Sequence, residues 1–180
     1  MFTWLLELKN KGVRQLSFFY YFVLIISNFL LQTTILQHFR IAGVVPNTTL
    51  IIIVIIALLK GKKVGGIMGI SMGLLQDLMF NEVIGIYALI YFIIGYTIGL
   101  IDNKVYKENS LIALIFTFGA TICFYILFYF LMFFLSVDIS FNKVFKEIVF
   151  LEMIYNLILA FPIYKLITHI FRKPEFSFRK

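Results

Sequence analysis

Residues 60–99 read KGKKVGGIMGISMGLLQDLMFNEVIGIYALIYFIIGYTIG. Two apolar runs, 64–80 and 84–101, meet at the short polar corner Asn81-Glu82. At roughly 100° per residue on a helix, Gly66, Gly69, Gly73 and Asp77 share one stripe about 80° wide. By the same spacing Gly85, Ala88, Gly95 and Gly99 fall on a second narrow stripe of small residues. In lipid the hydrophobic effect does not drive helices together. Small residues that let backbones approach closely supply packing in its place. A carboxylate on such a stripe costs at least roughly 2.5–3.5 kcal/mol if it faces hydrocarbon. The stretch therefore predicts a tightly packed helical pair, with Asp77 turned inward or set near a helix end.

The composition points the same way. Of the 180 residues 62% are hydrophobic and only 14% charged, whereas soluble domains average about 25% charged. Mean hydropathy is +0.99. The apolar residues recur as long runs, which predicts one all-α domain, residues 1–180, built as an integral membrane bundle of six transmembrane helices. The expected spans are 17–36, 44–59, 64–80, 84–101, 111–135 and 148–171. Residues 1–16, MFTWLLELKNKGVRQL, mix aromatic and aliphatic residues with Lys9, Lys11 and Arg14. They read either as a short amphipathic helix on the membrane surface or as a basic tail. They have no uninterrupted apolar core and no small-x-small cleavage site, so no cleavable leader is expected.

The net charge of +7 suggests no nucleic-acid partner, because the basic residues sit at the ends of apolar runs. Lys9, Lys11, Arg14, Lys60, Lys62, Lys63, Lys104, Lys107, Lys165, Arg172, Lys173, Arg179 and Lys180 fall on one side of six spans. Arg40, Lys143 and Lys146 fall on the other. The positive-inside rule places both termini in the cytoplasm. The second span is short, and Pro46 is expected in its first helical turn. Asn47, Thr48 and Thr49 either cap that helix or bond a neighbour. Pro162 is expected to kink the sixth span.

Chemistry-bearing patterns are sparse. The sequence has no Walker loop, GxSxG or HExxH, and Cys123 is its single cysteine. No catalytic residue, cofactor or metal site is expected. Asn28 and Gln32, four apart in the first span, and Glu152 and Asn156, four apart in the sixth, form a secondary polar intramembrane cluster. Asp77 and Glu152 could act as a proton relay only if they meet, which the sequence does not show. The residues leave two functions open: a membrane subunit that binds protein partners, and a carrier that binds a small molecule.

The central stretch resembles the rod shape-determining MreD family. Gly73, Leu74, Leu75, Gln76 and Asp77 match a G-L-x-x-D element. Ile84, Gly85, Ile86, Tyr87, Ala88 and Leu89 match an element that opens the fourth span, and Gly95, Tyr96 and Gly99 match G-Y-x-x-G. The resemblance implies a non-enzymatic subunit of the bacterial cell-elongation complex in the inner membrane. It would bind MreC and, through the complex, MreB and the cell-wall synthases, within the lipid bilayer. A homo-oligomer is compatible with the sequence. On this reading Gly66, Gly69, Gly73, Asp77, Gly85, Ala88, Gly95 and Gly99 form the helix-packing and partner interface. The family is also similar in fold to vitamin-binding subunits of energy-coupling-factor transporters, which makes the carrier reading concrete. Such subunits dock through an alanine-rich first span, and the first span here has no alanine. The scaffold reading is therefore preferred.

Overall fold

A computed structural model describes residues 19–80, 83–101, 110–136 and 148–171. The N-terminal segment 1–16, the corner at Asn81-Glu82 and the loops and tail carrying most of the other basic residues lie outside them. Among the described residues the regular structure is helical. The helices are α1 (Phe19–His38), α2 (Thr48–Lys60), α3 (Lys62–Phe80), α4 (Ile86–Gly99), α5 (Ser110–Phe134) and α6 (Phe150–Phe171). Helices α1, α5 and α6 are long and apolar enough to cross a bilayer, while α2 and α4 are shorter apolar helices.

Side-chain contacts fix the direction of each helix. Asn28 of α1 bonds Thr49 of α2, and Tyr21 at the other end of α1 stacks on Phe171 of α6. The Asn47 N–H donates to Asn156 of α6, and Lys60 lies 5.2 Å from the centroid of the Phe171 ring. So α2 and α6 run parallel, and α1 runs against both. Pairing of Thr121 with Asn156 and of Tyr125 with Glu152 makes α5 antiparallel to α6. The alternation is that of an integral membrane bundle with six spans. One end carries Lys60, Lys62, Lys63 and the C terminus of α6.

Helix α2 is the core. Every residue from Thr48 to Leu58 is buried. Thirteen residues span about 20 Å, short of the ~30 Å hydrocarbon thickness. A helix wrapped by others on all sides is apolar all round and does not need to reach both bilayer faces itself. Its start differs from the expected one. Asn47 is the N-cap and accepts from the Leu50 N–H at 3.0 Å, so Pro46 precedes the helix instead of opening it. The Pro46 carbonyl is used by Gln32. At the other end the single residue Gly61, at φ 82° and ψ 179°, reverses the chain into α3. That region is essentially restricted to glycine. Helix α6 continues through Pro162.

The α3–α4 seam is the tightest contact. A Cβ on Gly65 would stand 2.5 Å from the Gly95 carbonyl oxygen. On Gly69 it would fall within 3 Å of the Tyr91 carbonyl, on Gly73 within 3 Å of the Ala88 backbone, and on Gly99 within 3 Å of Lys62. These obstacles are backbone atoms, so no side chain can swing aside. Gly69→Ala should therefore force the helices apart and lower stability by about 1–3 kcal/mol, read as a reduced melting temperature in detergent. Gly119→Ala, with nothing within 4 Å of the added carbon, should be neutral or slightly stabilising.

Candidate functional site

Asp77 sits at the end of the seam where α3 leads into α4 and is fully buried. Helix α4 begins with Gly85 as N-cap, at φ 107°. A left-handed glycine suits this position but offers no side-chain oxygen to the first N–H groups of the helix, which have no partners of their own. Asp77 supplies the oxygens from the neighbouring helix. Its Oδ1 accepts from the Tyr87 N–H, and its Oδ2 accepts from the N–H groups of Gly85 and Ala88, all at 3.0 Å. The carboxylate also faces the positive end of the α4 dipole. An acid on a span thus accepts from three backbone N–H groups, in a place where a side-chain cap would normally stand.

A hydrogen-bonded network lies at the same level and draws on all six helices. Gln76 of α3 donates to Thr49 of α2 at 3.1 Å and accepts from Tyr91 of α4 at 2.7 Å. Tyr91 also lies 3.0 Å from Asn47 Oδ1. Asn28 and Gln32 of α1 both meet the Thr48 hydroxyl. Asn156 of α6 accepts from the Asn47 N–H at 2.8 Å and donates to Thr121 of α5 at 3.1 Å and to Glu152 at 3.4 Å. Tyr125 of α5 donates to the other Glu152 oxygen. Unpaired polar groups are expensive in hydrocarbon, so a satisfied network locks the relative positions of the helices that share it.

The sequence-predicted residues separate into distinct places. Gly69, Gly73, Ala88, Gly95 and Gly99 lie in the seam, and Gly66 faces the Phe92 ring across it, its Cβ position 3.1 Å away. Gly85 lies outside the seam. It is the turn residue before α4, with nothing within 4 Å of an added Cβ. Gly65, adjacent to the predicted stripe, takes the contact with Gly95. Asn28, Gln32, Glu152 and Asn156 join one network through Thr48, Asn47 and their neighbours. Asp77 and Glu152 do not bond each other: the first accepts from backbone N–H groups of α4 and Gly85, and the second accepts from Tyr125 and Asn156. Thr121, Tyr125 and Tyr91 are the members that sequence reasoning missed. A usable signal was the spacing of four between Thr121 and Tyr125, which mirrors Glu152 and Asn156. Among the described residues no group of three or more His, Cys, Asp or Glu is placed to hold a metal ion.

The family model described as rod shape-determining protein MreD matches residues 13–170. The chain belongs to the MreD family. It is therefore a rod shape-determining membrane protein, from a family defined by shape determination and not by a reaction. No curated protein matches the chain, and no solved structure does. The G-L-x-x-D element ends in Asp77, which here acts as the cap of α4, and the element opening the fourth span supplies its N–H donors.

Replacing Asp77 separates these contributions. Asp77→Leu leaves the Gly85, Tyr87 and Ala88 N–H groups without the carboxylate, at about 1–3 kcal/mol for each group left unsatisfied. Asp77→Asn keeps one acceptor oxygen and should lose less. Thermal melting in detergent should rank wild type above Asp77→Asn, and Asp77→Asn above Asp77→Leu.

Proposed function

We propose that this MreD-family protein is a non-enzymatic inner-membrane scaffold of the cell-elongation complex. It binds MreC and so couples the MreB cytoskeleton to the cell-wall synthases that build peptidoglycan. Both termini lie in the cytoplasm, on the side holding the basic ends of α2 and α3. Its dealings are with the bilayer and with proteins, a second copy of itself included, and not with nucleic acid.

The observation that carries this reading is the backbone-to-backbone packing of the α3–α4 pair together with its outer face. Seam glycines and Asp77 fix the two helices from behind. About 100° round α3 from the seam, Ile67, Ile70, Leu74 and Leu78 are exposed at spacings of three and four. That is one apolar stripe on a helix. A preformed stripe of this kind costs little ordering entropy when a partner's membrane helix packs on it. Most of the described buried polar side chains are hydrogen-bonded within the bundle, Asp77 to the start of α4 and Glu152 to Tyr125 and Asn156, an arrangement that suits a fixed frame.

The test is co-purification of MreC with the full-length protein from membranes containing both. Leu74→Trp combined with Leu78→Trp keeps the outer face apolar but changes its shape. Recovery of MreC should fall at least about tenfold, the loss that about 1.4 kcal/mol of contact represents, while the melting temperature stays unchanged. Full recovery of MreC with the double variant would contradict a partner seat on this face.

A further inference from the structure

On the α1 side of the polar network the hydroxyl protons and their acceptors do not match. Thr48 of α2 has one hydroxyl proton. Asn28 Oδ1 and Gln32 Oε1 of α1 both lie within bonding distance of its oxygen. The proton serves one of them at a time, and the other amide oxygen is left to a different donor. Thr49, the next residue, has the converse imbalance. Its oxygen accepts from Asn28 at 2.8 Å and from Gln76 of α3 at 3.1 Å. Its own proton has no acceptor among the described residues. Each of the three amides also has two N–H donors and, among the described residues, uses one: Asn28 and Gln76 on Thr49, and Gln32 on the Pro46 carbonyl. All of these polar side chains are more than nine-tenths buried.

The mismatched groups converge on one place. Asn28, Gln32, Thr49 and Gln76 line a small cleft between α1, α2 and α3, with Ile25 and Leu75 among its apolar walls. The volume in it open to a water-sized sphere is about 10 Å³, and one water needs roughly 10–15 Å³ on that measure. That admits a single water and nothing larger. A buried water makes about three hydrogen bonds, and the cleft can supply them. Water there accepts from the Thr49 hydroxyl and from a spare amide N–H. It donates to whichever of the Asn28 and Gln32 oxygens Thr48 does not serve. Asn28 lies near the middle of α1, at a depth where lipid offers polar groups no partner. The α1 backbone is adapted at the same point: Leu31–Ile35, which includes Gln32, is a π-helical turn, a departure frequent at functional positions.

We infer that this cleft is a water site, in which one structural water shared by Asn28, Gln32, Thr49 and Gln76 joins α1 to α2 and α3. It uses the donors and acceptors that the direct bonds leave over, so α1 is seated through water as well as through protein contacts. The site does not depend on the partner seat proposed for the outer face of α3.

The test is magic-angle-spinning NMR of the full chain in phosphatidylglycerol bilayers, reading short-mixing magnetisation transfer from water protons to side-chain amides. The wild type should show water cross-peaks at the amides of Asn28, Gln32 and Gln76. It should show none at Asn156, whose two N–H groups are taken by Thr121 and Glu152. Leu75→Phe and Ile25→Phe fill the cleft from different helices without removing a polar group. Each should lose all three cross-peaks while the amide signals themselves persist. A wild type without these cross-peaks would overturn the inference, and so would equal transfer to Asn156, which means general hydration of the bundle. Transfer that survives at full intensity in a filled variant with native amide signals would overturn it too, because the water would then lie outside the cleft. The wild-type contrast with Asn156 decides the matter whether or not a filled variant folds.

Discussion

Direct backbone contact between α3 and α4 is the constraint from which the rest follows. At Gly65, Gly69, Gly73, Gly95 and Gly99 the space that a methyl group would need is already filled by the opposing main chain. Close approach gives dispersion contacts over the length of both helices, which in lipid must do the work that water does for soluble cores. Two local devices hold the register. Gly61 turns α2 into α3 within one residue, and Asp77 reaches from α3 to close the N terminus of α4. Each needs the other, because sliding one helix past its partner by a turn would break the cap and drive side chains into backbone.

The seam in turn makes room for α2. With α3 and α4 locked together, their buried faces join α5 and α6 around a short helix of branched aliphatic residues. Phe124 of α5 stacks on both Tyr87 and Tyr91, so the aromatic run of α5 fills space beside the seam. Other rings of that run, such as Phe133 and Phe134, face outward. Above this apolar core the polar network spans all six helices at one level. Its position is set by α2, which begins at Thr48, inside the bundle, and so brings the capping Asn47 to where Asn156 and Tyr91 can reach it.

Much of this could be read from the sequence, and the parts that could not have definite causes. Helical spacing was enough to find the seam, because close packing leaves a periodic mark of small residues. It was not enough to assign Gly65 and Gly85. Which neighbour of a glycine pair faces the partner depends on the crossing of the helices, and a glycine needed for a positive φ has the same letter as one needed for packing. Asn28, Gln32, Glu152 and Asn156 were visible as polar residues inside spans, but their partners Thr121 and Tyr125 were hidden within an aromatic run. Those pairings depend on the register of α5 against α6, which no local pattern carries. Asp77 was recognisable as an inward acid; its role as a substitute cap required seeing that Gly85 leaves α4 without one of its own.

In this MreD-family chain the buried groups hold the helices in register. The central claim, that two glycine-lined helices touch through their backbones, can be measured without mutation. Magic-angle-spinning NMR of the protein in bilayers, with glycine-selective carbon labelling, reports which glycines of different helices are neighbours. The account predicts a strong interhelical cross-peak between Gly65 and Gly95. Its absence, with both residues assigned and helical, would mean that side chains or lipid separate α3 from α4, and would contradict the account.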